Sequence, residues 1–143
     1  MQRLGRAAAQ ALHAVGGMKA ATDITGFGLL GHSLEMAKAT GCKFVFELHQ
    51  IPLLEGVMDY AADFVFPGGA TNNRMFFEKD VTFAAGVSEA QRMILWDPQT
   101  SGGLLIAVPG ERWPALEQAC QERAQAAWVV GQVSDGDGVE VRP

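Results

Sequence analysis

Residues 21–32 read ATDITGFGLLGH and place one carboxylate and two hydroxyls directly before three glycines and a helical pattern. Free backbone N–H groups at the start of a helix attract phosphate. A nearby carboxylate can hold the magnesium ion that accompanies phosphate, because Mg²⁺ prefers one or two carboxylates together with phosphate oxygens and water. The segment therefore predicts a site for a metal–phosphate ligand, with Asp23 as the metal ligand and Thr22 and Thr25 as further oxygen ligands or donors.

Asp23 also has a simpler interpretation, in which it complements the helix dipole or caps a turn. Composition alone favours that interpretation, and the neighbouring hydroxyls and the glycines Gly26 and Gly28, which let a ligand approach the backbone, favour the metal site. A single carboxylate is too few for a complete catalytic metal centre. If Asp23 binds a metal, further carboxylates must come from outside this segment.

The same glycines allow a different hypothesis, a dinucleotide-binding module. Gly26, Gly28 and Gly31 spell G-x-G-x-x-G, and Glu47 stands 21 residues after the first glycine, near the end of the next predicted strand. This spacing matches a dinucleotide-binding fingerprint. The preceding strand should then be strongly apolar, whereas it carries the charged Asp23. The module stays an alternative.

A second polar loop, DPQTSGG over residues 97–103, comes just before the apolar run 104–108. Its proline and glycines suit a solvated turn, and its amide and hydroxyls equally suit contact with an anion. The candidate lining residues of this loop are Gln99, Thr100, Ser101 and Gly102. Arg74, after the glycine-rich turn 67–69, could contact phosphate, although a surface arginine is the favoured interpretation.

Composition limits the class of protein. The chain has 143 residues, 48% of them hydrophobic and 19% charged, which predicts one globular domain over 1–143. The net charge of -5 argues against a nucleic-acid or anionic-membrane surface, since both require basic patches. No apolar run is long enough to span a bilayer, and the first residues lack the apolar core of a signal peptide. Two cysteines far apart in sequence favour a reduced, cytoplasmic protein.

Hydrophobic periodicity gives the order helix, strand, helix, strand, helix, helix, strand, helix, strand, strand. Thr25 is the predicted N-cap of the second helix, and Gly41 is predicted to end it. Ser88 and Gln91 have the spacing of a capping box, and residues 70–80 are ambiguous but partly helical. The run 104–108 is apolar on both faces, which predicts a central strand of one sheet covered by helices. Helices are predicted over residues 2–15, 26–40, 52–62, 88–96 and 111–126, and strands over 18–24, 43–48, 104–108, 128–133 and 139–142.

Three segments together resemble the selenophosphate synthetases (selenide, water dikinases) of the aminoimidazole-ribonucleotide-synthetase-like superfamily. They are ATDITGFGLLGHSLEMA at 21–37, PGG at 67–69 with Asn73-Arg74 after it, and DPQTSGGLLIAV at 97–108. The resemblance extends over residues 4–141 and corresponds to the C-terminal half of that family's protein. The family's N-terminal domain carries a glycine-rich segment, a reactive Cys or selenocysteine, its partner Lys and most magnesium-binding aspartates. Cys42-Lys43 does not match its motif.

The resemblance implies an α+β fold, a three-layer α/β/α arrangement with a mixed β-sheet. It implies a reaction in which ATP, selenide and water give selenophosphate, AMP and phosphate for selenocysteine and selenouridine synthesis. Mg²⁺ is then the cofactor, ATP and selenide bind with the N-terminal domain, and the full-length protein is a homodimer formed through its N-terminal domains.

For individual residues, the resemblance implies no catalytic group in this half and one metal ligand, at the position of Asp23. The chain alone should be inactive. A third hypothesis is a non-catalytic domain that docks a separate N-terminal partner. The residues carried over as lining the nucleotide site are Thr22, Thr25, Gly26, Gly28, Gln99, Thr100, Ser101 and Gly102.

Overall fold

A computed structural model describes residues 4–143. Gln2, the predicted start of the first helix, lies outside the described residues. The helices are α1 (Arg6–Val15), α2 (Gly28–Thr40), α3 (Val57–Ala62), α4 (Gly68–Phe77), α5 (Glu89–Leu95) and α6 (Trp113–Gln121). The strands are β1 (Ala20–Asp23), β2 (Lys43–Glu47), β3 (Val81–Phe83), β4 (Leu104–Ala107), β5 (Gly131–Ser134) and β6 (Val139–Arg142).

The described strands form two sheets, so the prediction of a single sheet is wrong. β1 pairs with β4 in an antiparallel ladder that brings Asp23 opposite Leu104. The other sheet has the order β3-β6-β2-β5 and is mixed, because β2 and β3 run parallel to β6 and β5 runs antiparallel to β2. The α+β class with a mixed sheet is confirmed.

Helix α2 explains why the strands divide into two sheets. Its buried residues lie on more than one face, and it packs against β1 as well as against β2 and β6. A helix with apolar or small residues around most of its surface is covered by other elements on both sides. The layers are therefore α1 with α6, then β1 with β4, then α2, and then the four-stranded sheet.

Strand β4 is apolar on both faces for a different reason from the predicted one. It has β1 as a neighbour and is not central. Leu104 and Ile106 pack against the hydrophobic cluster that contains Leu12 of α1 and Leu116 of α6, whereas Leu105 belongs to the main core. Both faces are covered by helices and core side chains, so apolar residues are favoured at every position of a strand in a small sheet.

The ends of the helices follow the glycines and one capping box. Gly41 ends α2 in the left-handed conformation, with φ of 64°. Ser88 and Gln91 form the predicted capping box at α5. The prediction of Thr25 as the N-cap of α2 is wrong, because the Gly28 N–H donates to the Thr25 carbonyl at 3.0 Å and this turn delays the helix to residue 28.

Candidate functional site

The two polar loops that follow β1 and precede β4 lie side by side. Ile24 N–H donates to the Gly103 carbonyl at 2.9 Å, and Gly102 N–H donates back to the Ile24 carbonyl at 2.9 Å. Gln99 N–H donates to the Thr25 carbonyl at 3.0 Å. These bonds continue the β1–β4 pairing beyond Asp23. The structure therefore brings together the two loops that the sequence singled out.

Two of the glycines permit this close approach. A Cβ on Gly28 would lie 2.8 Å from the Trp96 carbonyl carbon, and the residue has φ of +68°. A Cβ on Gly102 would lie 2.9 Å from the Ile24 carbonyl oxygen. Contacts this short force a neighbour to move, and here the neighbour is backbone. Gly28 and Gly102 thus hold the loops together, and their predicted contact with a ligand stays a prediction.

The outer edge of the loop pair has no such packing role. Asp23, Gly26 and Thr100 are exposed, and a Cβ on Gly26 would meet nothing within 4 Å. The remaining predicted lining residues outside the contact are half-buried: Thr22, Thr25, Gln99 and Ser101. The carboxylate of Asp23 is exposed and takes part in none of the ion pairs found within residues 4–143. This edge leaves the Asp23 carboxylate and the open backbone at Gly26 available to a ligand.

The donor set fits one part of a magnesium site. Among the described residues, no group of three or more His, Cys, Asp or Glu side chains could hold a metal ion. One free carboxylate matches Mg²⁺ that is also bound by phosphate oxygens, water and carboxylates from elsewhere. Asp23 is thus suited to a contributing ligand and is not a complete metal centre.

Asn73, in helix α4, joins the PGG segment at 67–69 and its helix to the two loops. Its buried amide donates from Nδ2 to the Gly26 carbonyl at 2.8 Å and to the Trp96 carbonyl at 3.0 Å. At the start of the same helix, a Cβ on Gly69 would lie 2.7 Å from Pro98 Cγ. The sequence showed Asn73 only as part of a motif. The available signal was its amide, which offers two donors in a fixed geometry.

His32 is a second residue whose hydrogen bonds the sequence did not reveal. It is buried in α2, with Nε2 3.0 Å from Thr25 Oγ1 and Nδ1 3.2 Å from Glu35 Oε2. The backbone N–H of Phe27 also donates to Nε2, at 3.4 Å. The spacing of three residues between His32 and Glu35 places them on one helix face and could have indicated the pair. His32 therefore orders the loop from inside the helix.

Other polar groups near the loops are already engaged. Gln99 Nε2 donates to Asp97 Oδ2 at 2.8 Å. Burial raises the pKa of Asp97, and the bond from Gln99 partly opposes that rise. Arg74 forms ion pairs with Glu78, at 3.0 Å, and with Glu89, so its guanidinium already has two carboxylate partners. Arg74 is thus half-buried and ion-paired, whereas the favoured interpretation was a solvated surface arginine.

The dinucleotide-binding alternative is wrong for this fold. That fingerprint requires two parallel strands of one sheet joined by the helix. Here β1 and β2 lie in different sheets, and β1 pairs antiparallel with β4. A Cβ on Gly31 would lie 2.6 Å from Phe27 Cβ, so this glycine also serves packing. Glu47 sits opposite Arg142, within the four-stranded sheet.

Comparison with known proteins agrees with the resemblance. A selenide, water dikinase from Carboxydothermus hydrogenoformans is 41% identical over 138 residues, which is 96% of this chain and 40% of that protein. A selenide, water dikinase from Clostridioides difficile is 48% identical over 90 residues, 63% of this chain and 26% of that protein. The chain thus spans about 40% of the length of the first of these curated relatives.

Solved structures share the fold at low identity. E. coli HypE, a hydrogenase maturation protein, superimposes with a TM-score of 0.64 at 20% identity, covering 94% of this chain and 34% of HypE. AaThiL, solved in complex with AMPPCP and TMP, gives 0.56 at 21% identity, covering 90% of this chain and 31% of AaThiL. The family model described as AIR synthase related protein, C-terminal domain, matches residues 1–142, and the chain belongs to that family.

Proposed function

We propose that this chain is the C-terminal domain of a selenophosphate synthetase and forms one wall of its ATP–magnesium site. The observation that carries the proposal is the pairing of the two polar loops, which leaves Asp23 exposed beside open backbone at Gly26. The identity of 41% to a selenide, water dikinase supports the reaction proposed here. The AMPPCP bound by AaThiL, which shares the fold, supports ATP as the substrate.

The reaction converts ATP, selenide and water into selenophosphate, AMP and phosphate. Phosphoryl transfer depends mainly on aligned reactants and on neutralised charge. When bound, Mg²⁺ supplies that neutralisation at the phosphate oxygens. Asp23 would contribute one carboxylate to hold it, and the hydroxyls of Thr22 and Thr100 would orient the ligand. The hydrogen bonds between the loops keep these groups in place before the ligand arrives.

The remaining components belong to the rest of the proposed protein. An N-terminal domain supplies the reactive Cys or selenocysteine, its Lys partner and the other aspartates, and this chain then has no turnover alone. The full-length protein is a homodimer in the cytoplasm in this proposal. Within residues 4–143, no helix is long and apolar enough to cross a membrane.

The test is Asp23→Asn in the full-length protein. We expect selenophosphate formation to fall by at least about 100-fold, the scale for losing one charge-stabilising group at a reacting centre, with an unchanged thermal midpoint. Asp135→Asn is the matched control, because Asp135 is an exposed aspartate on the connection between β5 and β6. Retention of activity within a few-fold of the parent by Asp23→Asn would refute the role given to this carboxylate.

A further inference from the structure

Thr25, His32 and Glu35 form a chain of hydrogen bonds that leads from the candidate site into helix α2. Thr25 is half-buried at the loop, His32 is 8% exposed, and the Glu35 side chain reaches solvent. The two contacts of the imidazole measure 3.0 Å to the hydroxyl and 3.2 Å to the carboxylate. A hydroxyl, an imidazole and a carboxylate in series fix the direction in which each hydrogen bond points.

The backbone of the loop determines the tautomer of His32. An amide N–H is always a donor, and the Phe27 N–H points at His32 Nε2. Nε2 must therefore be the unprotonated nitrogen. Nδ1 then carries the proton and donates it to the Glu35 carboxylate. This arrangement matches the common role of a carboxylate in holding an imidazole in one tautomer and orientation.

The tautomer in turn fixes the hydroxyl of Thr25. Because Nε2 has no proton to offer, the contact at 3.0 Å requires the Thr25 hydroxyl to donate. A hydroxyl has one proton, and its use here leaves only lone pairs facing away from the histidine. Thr25 then presents a hydrogen-bond acceptor to a ligand and no donor.

We infer that His32, oriented by Glu35, is a positioning residue that makes Thr25 an acceptor for the water shell of a metal–nucleotide complex. An acceptor attracts metal-bound water and repels the oxygens of free phosphate. This inference rests on the proposed function for the identity of the ligand, and on the contacts above for the state of the histidine. An acceptor at Thr25 therefore favours binding of the metal-loaded nucleotide over binding of the metal-free one.

The first experiment reads the tautomer directly. In ¹⁵N-histidine-labelled full-length protein, two-bond ¹H–¹⁵N correlation spectra at neutral pH should show His32 protonated at Nδ1 and unprotonated at Nε2. Glu35→Gln should weaken this preference. Protonation of Nε2 in the parent protein overturns the inference, whatever the activity of any variant.

The second experiment measures the coupling of the two residues. We expect Thr25→Val and His32→Leu each to raise the KM for magnesium–ATP by about tenfold, the scale of one lost hydrogen bond to a charged complex. The double variant should be no worse than the poorer single variant, because both remove the same contact. His13→Leu is the control, since His13 is exposed on α1.

Conservative variants separate positioning from general support of the fold. His32→Gln can still accept at the Nε2 position and should recover most of the loss, and Thr25→Ser should do the same. Additive losses in the double variant, or a lower kcat with unchanged KM, would contradict the inference. If Asp23→Asn keeps its activity while the predicted tautomer is found, the proposed function fails and the state of His32 stands.

Discussion

The inner contact of the two loops and their outer edge differ in what their residues do. We call the contact the seam, formed by Ile24, Gly28, Asn73, Trp96 and Gly102. We call the exposed edge the rim, formed by Asp23, Gly26 and Thr100. The seam is held by backbone hydrogen bonds and close packing. The rim has little packing to maintain, so its oxygens are available for chemistry.

The glycines of one sequence pattern therefore have two physical roles. Gly26 is open on its side-chain face, whereas Gly28, two residues later, packs against the Trp96 backbone. The spacing of the glycines in the sequence predicts that a ligand can approach both Gly26 and Gly28. In the structure the second glycine makes the loop contact possible, and the first leaves the resulting surface open. Substitutions in the seam should therefore lower stability, and substitutions in the rim should lower activity.

The largest expected loss of stability is that of Gly28→Ala. The new Cβ would lie 2.8 Å from the Trp96 carbonyl carbon, at a residue with φ of +68°. Left-handed strain and overpacking together should cost about 3 kcal/mol of unfolding free energy. Urea denaturation of the full-length protein measures this change.

Gly26→Ala is the matched control for that measurement, because a Cβ there meets nothing within 4 Å. We expect its unfolding free energy to change by less than about 1 kcal/mol. Equal destabilisation by the two substitutions would remove the distinction between seam and rim at this segment.

A smaller loss is expected for Asn73→Ala. The substitution removes the donor shared by the Gly26 and Trp96 carbonyls and leaves both without that partner. Leaving the buried Trp96 carbonyl unsatisfied should cost about 2 kcal/mol of unfolding free energy, and activity should fall as the loops lose their register. Thermal and urea unfolding, with activity measured at a temperature where the variant stays folded, report both effects.

Asn72→Ala is the control for Asn73, since Asn72 is the preceding residue of the same helix and is exposed. It should change stability by no more than about 0.5 kcal/mol. If Asn73→Ala loses no more stability than Asn72→Ala, the Asn73 amide does not join the three segments.

Local pattern predicted much of the fold. Helix α2 with its glycine end, the capping box at Ser88 and the strands β2 and β6 each depend on residues close in sequence. The division into two sheets and the position of β4 depend on which helices cover each sheet face. A strand that is apolar on both faces can be central in a large sheet or belong to a two-stranded sheet covered on both sides. The sequence pattern does not distinguish these two arrangements.

The candidate site could likewise be predicted only in part. The sequence singled out the two loops, and the structure places them together. The sequence did not reveal the role of Asn73, whose hydrogen bond to the Gly26 carbonyl joins residues 47 positions apart. It also did not reveal the turn that replaces the predicted Thr25 cap. Such contacts are set by tertiary packing and leave no periodic signal. The assignment of Asp23 as a metal ligand stays a prediction.

The most direct measurement is a crystal structure of the full-length protein with Mg²⁺ and a non-hydrolysable ATP analogue. We expect an Asp23 carboxylate oxygen about 2.0–2.1 Å from a magnesium ion that also binds the analogue's phosphates. A complete metal shell formed by other residues, with Asp23 facing bulk water, would contradict the account.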